Sequence, residues 1–155
     1  MKKKIFTITL TMILFITFFC DYANASTISE EVIYQDDDFI VTSTLVTFDS
    51  NSAIQLFSTT SSKNSSKTIT IKNNAGSTLA TYTLYASFTY NGNSSSCTRV
   101  SASSSVKKTG WSFSSRKTSK SGNTASGSYT LKNTNSTKKY SGSVRLSCSK
   151  NGTIS

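Results

Sequence analysis

The chain has no proline and no histidine, and past Asp49 it has no carboxylate side chain in any of its remaining positions. General acid and base catalysis draws on His, Glu or Asp tuned near the working pH, so residues 50–155 have none of the usual proton carriers. Paired carboxylates for glycoside hydrolysis could come only from the acidic N-terminal segment. Zinc and calcium sites need His, Cys or clustered oxygen anions, and consecutive residues of the Asp36-Asp37-Asp38 run diverge on an extended chain. Lys with Ser as nucleophile is the surviving catalytic option. The spacings Ser104-x-x-Lys107 and Ser114-x-x-Lys117 match it, but in a chain so rich in Ser and Lys such matches arise by chance and neither opens a helix. The sequence therefore predicts a protein that is not an enzyme, with no cofactor and no metal.

Large apolar side chains are also scarce. Residues 67–155 hold only 12 Leu, Ile, Val or Phe and the chain has a single Trp, a composition that by itself belongs with disordered chains. With 155 residues and 15% charged side chains, two domains and a charged helical bundle are both excluded. What fills the sequence instead is Ser, Thr and Asn.

Lys2, Lys3 and Lys4 precede an apolar run from Ile5 to Phe19, and Ala23-Asn24-Ala25 follows it. That order is a secretory signal with cleavage expected after Ala25. At 15 residues the run is shorter than the roughly 20 a membrane-spanning helix needs. The expectation is a secreted, extracellular protein without a transmembrane anchor once residues 1–25 are removed. Cys20 leaves with the signal; its neighbours Phe18 and Phe19 do not suit lipidation. Cys97 and Cys148 remain, and an even count in an exported chain with a thin core predicts one disulfide between them.

Charge divides the rest. Ser26 to Ser62 carries six acidic and no basic side chains, while Lys63 to Ser155 carries fourteen basic and no acidic ones. Residues 26–66 read as an acidic arm followed by a Ser/Thr-rich linker, although Phe39 to Phe48 favours a strand that would join a sheet edge. Residues 67–155 read as a cationic β domain. Ala80, Tyr82, Leu84, Ala86, Phe88 and Tyr90 alternate with a polar face that only Leu79 and Tyr85 interrupt. Asn91-Gly92 then gives a hairpin signal. Strands are expected at 67–73, 80–90, 96–106, 111–118, 124–132 and 138–149, in an antiparallel meander forming a small all-β sandwich. In the last strand Tyr140, Val144, Leu146 and Cys148 share the inward parity. Cys97 is out of phase with Val100 and Ala102, which calls for a bulge, and Gly127 marks a bulge or a close backbone crossing.

The order Cys97, Trp111, Cys148 resembles that of immunoglobulin domains, which limits the fold to immunoglobulin-like at most. Leu146 stands where a tyrosine corner would place Tyr, and Trp111 is read first as core. The string Thr89-Tyr90-Asn91-Gly92, Cys97, Trp111, Lys120-Ser121-Gly122-Asn123-Thr124-Ala125-x-Gly127 and Leu146-Ser147-Cys148-Ser149-x-Asn151-Gly152-Thr153 resembles a family of small exported proteins of unknown function from Gram-positive gut bacteria. The likeness spans residues 79–155 and implies export and a shared domain, with no activity or site residues attached.

Binding is the function class left open. Lys107, Lys108, Arg116, Lys117, Lys120, Lys138 and Lys139 cluster near expected turns beside Trp111 and form a candidate basic rim. Its partners would be an anionic cell-envelope polymer, mucin or glycan, and no motif of a specific nucleic-acid module is present. Against this stands the plain role of surface lysines in keeping sheet edges apart. The second reading is a bacteriocin-like or toxin effector whose acidic pro-segment is clipped off near Lys63. The sequence leaves the target and the oligomeric state open.

Overall fold

The computed structural model describes residues 25–49 and 60–155. Apart from Ala25, the expected signal segment lies outside the described residues, as do positions 50–59 of the expected linker. Eight strands follow one another: β1 (Ala25–Gln35), β2 (Phe39–Asp49), β3 (Ser61–Asn73), β4 (Thr78–Tyr90), β5 (Ser95–Val106), β6 (Trp111–Ser121), β7 (Thr124–Asn133) and β8 (Lys139–Ser147). β1 to β5 form one antiparallel sheet in chain order, and β6 to β8 form a second. The two pack face to face, β3 and β4 lying against β7 and β8. Each sheet is a plain meander, so the crossing connections of an immunoglobulin Greek key are absent among the described residues. The likeness to immunoglobulin domains is one of residue order alone.

All six strands expected between 67 and 149 are present. Asn91 closes the turn after β4, its side-chain oxygen accepting the N–H groups of Asn93 and Ser94 at 3.1 and 2.8 Å. Gly92 there has a φ of 83°, a backbone region open to glycine.

The stretch read as arm and linker is built differently from that expectation. β2 pairs with β3 along its length, Val41 opposite Ile71 and Ser43 opposite Ile69. Phe39 and Val41 are buried in the common core. Ser61–Ser66 continue β3 rather than serving as linker, with Ser65 and Ser66 buried. Composition misleads here because a strand flanked on both sides has its backbone groups satisfied whatever its side chains are. The Asp36 carboxylate tightens the β1–β2 turn, accepting the N–H groups of Asp38 and Phe39 at 2.8 and 2.7 Å.

Aromatic rings supply what the aliphatic residues do not. Tyr82 of β4 stacks on Tyr129 of β7 with ring centroids 4.7 Å apart, and Phe113 meets Tyr129 edge-on at 6.2 Å. Tyr140 extends the column toward Phe39, and Phe39 meets Trp111 edge-on at 5.8 Å. Such rings bury large areas each and favour these offset and edge geometries. Gly127 lies under Tyr82: a Cβ there would sit 2.6 Å from the tyrosine oxygen. Of the two sequence readings of Gly127, the close crossing is the one observed.

The disulfide expected between Cys97 and Cys148 is not formed in this structure. Both are buried free thiols, not at disulfide distance. Each follows its own backbone: the Cys97 thiol donates to the Arg99 carbonyl and the Cys148 thiol to the Ser149 carbonyl, both at 3.4 Å. Burial pushes both thiols up from their usual range, which Lys120 partly offsets for Cys97 and Lys63 for Cys148. The bulge expected near Cys97 is present. Phe88 pairs with Cys97 and Ser87 with Arg99, leaving Thr98 as the extra residue.

Candidate functional site

The three-stranded sheet turns its outer face to solvent. Leu131, Leu146 and Val144 point into the core, so the alternate positions Lys132, Ser143 and Arg145 point out. A bulge settles β6. Phe113 pairs with Leu131 and Ser115 with Thr130, leaving Ser114 unpaired and reversing the parity beyond it. Lys117 therefore points outward, while Arg116 and Lys120 take the side that faces the other sheet.

Across the outer face the register sets Lys132 beside Lys139, then Thr130 beside Ser141, then Lys117, Ser128 and Ser143, then Ser119, Ser126 and Arg145. The Thr130 and Ser141 hydroxyls are bonded to each other at 2.9 Å. A shallow hollow of about 490 Å³ lies among Lys117, Ser119, Ser126, Ser128, Ser143 and Arg145. Its floor is glycine, valine and hydroxyls, and two cations flank it. β6 to β8 contain no acidic residue, so no neighbouring carboxylate on this sheet neutralises them. Three of the described carboxylates are engaged elsewhere: Glu30 pairs with Lys72 at 3.2 Å, Asp38 with Lys138, and Asp36 accepts the Tyr34 hydroxyl at 2.5 Å. Glu30 and Asp36 are held below the usual carboxylate range, chiefly by the Thr42 hydroxyl close to Glu30 and by the Tyr34 hydroxyl bonded to Asp36.

The basic rim expected from the sequence is thus divided. Lys117 and Lys139 belong to the outer face. Arg116 reaches across to the Ser104 hydroxyl at 2.8 Å and Lys120 to the Thr98 carbonyl at 2.5 Å, so both clamp β6 to β5. Lys107 and Lys108 form the β5–β6 turn, their N–H groups sharing the Leu79 carbonyl. Lys138 is matched by Asp38. Trp111 is half-buried against Phe39. Lys132 and Arg145 complete the face and were not among the expected rim residues. Their signal was strand parity, legible for Arg145 in the alternation of the last strand.

The Ser104 hydroxyl of the first Ser-x-x-Lys spacing accepts Arg116, and the Ser114 hydroxyl of the second donates to the Thr130 carbonyl. Burial raises the Tyr129 hydroxyl far above its ordinary value and that of Tyr82 as well. Among the described residues no group of His, Cys, Asp and Glu could hold a metal ion, and no helix is long and apolar enough to cross a membrane. The arrangement offers fixed positive charge and hydroxyl hydrogen bonding. No protein-family model, curated protein or solved structure matches the chain.

Proposed function

We propose that this chain is an exported, non-catalytic β-sandwich that binds anionic glycan polymers through the outer face of β6–β8, and that it shares its domain with the exported family its motifs resemble. One observation carries the reading: Lys117, Lys132, Lys139 and Arg145 share a face with a field of serine and threonine hydroxyls and no carboxylate. Cations draw a charged polymer in, and hydroxyls hydrogen-bond both sugar hydroxyls and sulfate or phosphate oxygens. The effector reading loses ground on the fold. Clipping near Lys63 would sever β3 and remove Phe39 and Val41 from the core.

The test is retention of the exported chain on a sulfated polysaccharide resin. At low salt the Lys117→Glu/Arg145→Glu variant is expected to bind about tenfold more weakly or worse. A Lys107→Glu/Lys108→Glu control in the β5–β6 turn should stay close to the native chain. Native retention should fall steeply as salt is raised, because exposed charges are screened. Equal loss in both variants, or retention indifferent to salt, would sink the reading.

We propose further that Cys97 and Cys148 join once the exported chain meets a disulfide donor, the two thiols losing two protons and two electrons while the donor is reduced. What supports this is a shared anchor. Cys97 N–H donates to the Gly122 carbonyl at 2.8 Å and Cys148 N–H to that of Asn123 at 3.1 Å. The Asn123 amide and the Ser95 hydroxyl both hold the Cys148 carbonyl, at 2.8 and 2.6 Å. Joining costs each thiol its carbonyl contact and adds about 4 kcal/mol in the chain-entropy description of a loop this long. Alkylation and mass measurement of the purified exported chain should find it lighter by two hydrogens with neither thiol modified. Two alkylated cysteines in the denatured, unreduced protein would refute the pairing.

A further inference from the structure

We infer that the outer face of the five-stranded sheet carries a second site, a trough that holds one pyranose ring bearing an acidic substituent. It goes beyond the polymer-binding face, lies on the other sheet, and can fail independently of it.

The alternation of β4 has one outward exception that the fold does not use. Tyr85 is bulky, points away from the core, and remains 44% exposed, while its neighbours on that face are Thr83 and Ser87. On β2 Phe48 is likewise outward and 38% exposed. The register places Phe48, Asn64, Ser87 and Arg99 in one row across β2, β3, β4 and β5, with Tyr85 and Ser101 in the adjoining row. These six residues bound a hollow of about 180 Å³. The Ser103 hydroxyl donates to the Tyr85 oxygen at 3.4 Å, which ties down the far end of the ring.

Each feature narrows the occupant. Large aromatic groups left in water beside serine and threonine hydroxyls mark a binding surface. The hollow is smaller than the roughly 300–1,000 Å³ of sites for drug-sized ligands and suits a single ring. Aromatic walls take the C–H face of a sugar, as rings with an apolar body do at wet interfaces. The Ser87 and Ser101 hydroxyls stand at the rim to meet ring hydroxyls. Arg99 is exposed, no acidic residue lines the hollow, and among the described residues no carboxylate pairs with it. A guanidinium so placed prefers a planar or tetrahedral oxyanion, bound through two N–H groups. That chemistry is common to a ring carboxylate and a ring sulfate.

The full exported chain should be titrated with methyl glucuronide, methyl glucoside 6-sulfate and neutral methyl glucoside, read by amide chemical shifts. One or both acidic sugars are expected to move the resonances of Tyr85, Ser87 and Arg99, and the stronger binder tells carboxylate from sulfate. Tyr85→Ala and Arg99→Gln should each weaken that binding about tenfold. Tyr85→Phe keeps the stacking ring and should stay near native, which separates loss of the wall from loss of fold. Lys117→Glu/Arg145→Glu should leave the titration unchanged. Shifts confined to β6–β8, equal binding of the neutral sugar, or no shifts with any of the three would each overturn the proposal.

Discussion

Tyr82→Ala is expected to lower the free energy of unfolding by about 3–5 kcal/mol, the range for truncating a buried aromatic residue. The ring is fully buried at the centre of the sandwich, stacked on Tyr129 at 4.7 Å and tilted against Phe113 at 6.4 Å. Its hydroxyl reaches the Lys117 carbonyl at 3.3 Å. With so few aliphatic side chains in residues 67–155, nothing nearby can close the space left behind. Domains of this kind have about 5–15 kcal/mol in total, so the variant should unfold at far lower denaturant concentration or not fold at all. Tyr82→Phe isolates the hydroxyl and should cost no more than about 1.5 kcal/mol. Urea unfolding followed by tyrosine fluorescence and circular dichroism measures both. A Tyr82→Ala midpoint near that of the native chain would show that the stacked pair does not hold the sheets together.

Gly127→Val is expected to disrupt this core by overpacking. A Cβ at position 127 meets Tyr82 at 2.6 Å from its oxygen and 3.0 Å from Cε1, and Leu84 Cδ1 at 3.2 Å. Tyr82 cannot swing aside because it is sealed between the sheets. Overpacking of this kind costs about 1–3 kcal/mol for a small side chain and more for a branched one. The cause can be isolated with Gly127→Ala in a Tyr82→Phe background. Removing the oxygen takes away the shortest contact, so the double variant should be less destabilised than the sum of the two by more than about 0.5 kcal/mol. Strict additivity in urea unfolding would mean that the close approach between Gly127 and Tyr82 is not what glycine provides.

Much of the architecture is legible residue by residue. The inward run Ala80, Tyr82, Leu84, Ala86, Phe88 and the final run ending in Leu146 and Cys148 are written as period-two alternation, and both are buried as that pattern requires. The phase conflict between Cys97 and Val100 announced the bulge at Thr98. Leu79 was an anomaly in its strand for a related reason. Ile71 pairs with Ala80 and Lys72 with Thr78, so Leu79 is the extra residue of a bulge and is buried beside Ala80. Tyr85, the other anomaly, has no such excuse, and its exposure is what draws attention to the second face.

The candidate binding face was legible only in part. Clustering lysines by nearness to turns grouped Lys107, Lys108, Arg116, Lys117, Lys120, Lys138 and Lys139 as one rim. Nearness in sequence does not state which side of a sheet a residue occupies. The reversal at Ser114 separates Lys117 from Arg116 and Lys120, and Asp38, a hundred residues away, neutralises Lys138.

What the sequence determined alone is local: alternation names the two sides of each strand, turn residues end it, and the absence of carboxylates beyond Asp49 makes the body cationic. The tertiary structure decided the rest: which strands share a sheet, that a serine-rich stretch becomes β3, that the acidic segment enters the core, and which cations face the same way. Those outcomes depend on backbone pairing and bulges between distant segments, where a one-residue shift in register exchanges the faces of everything that follows.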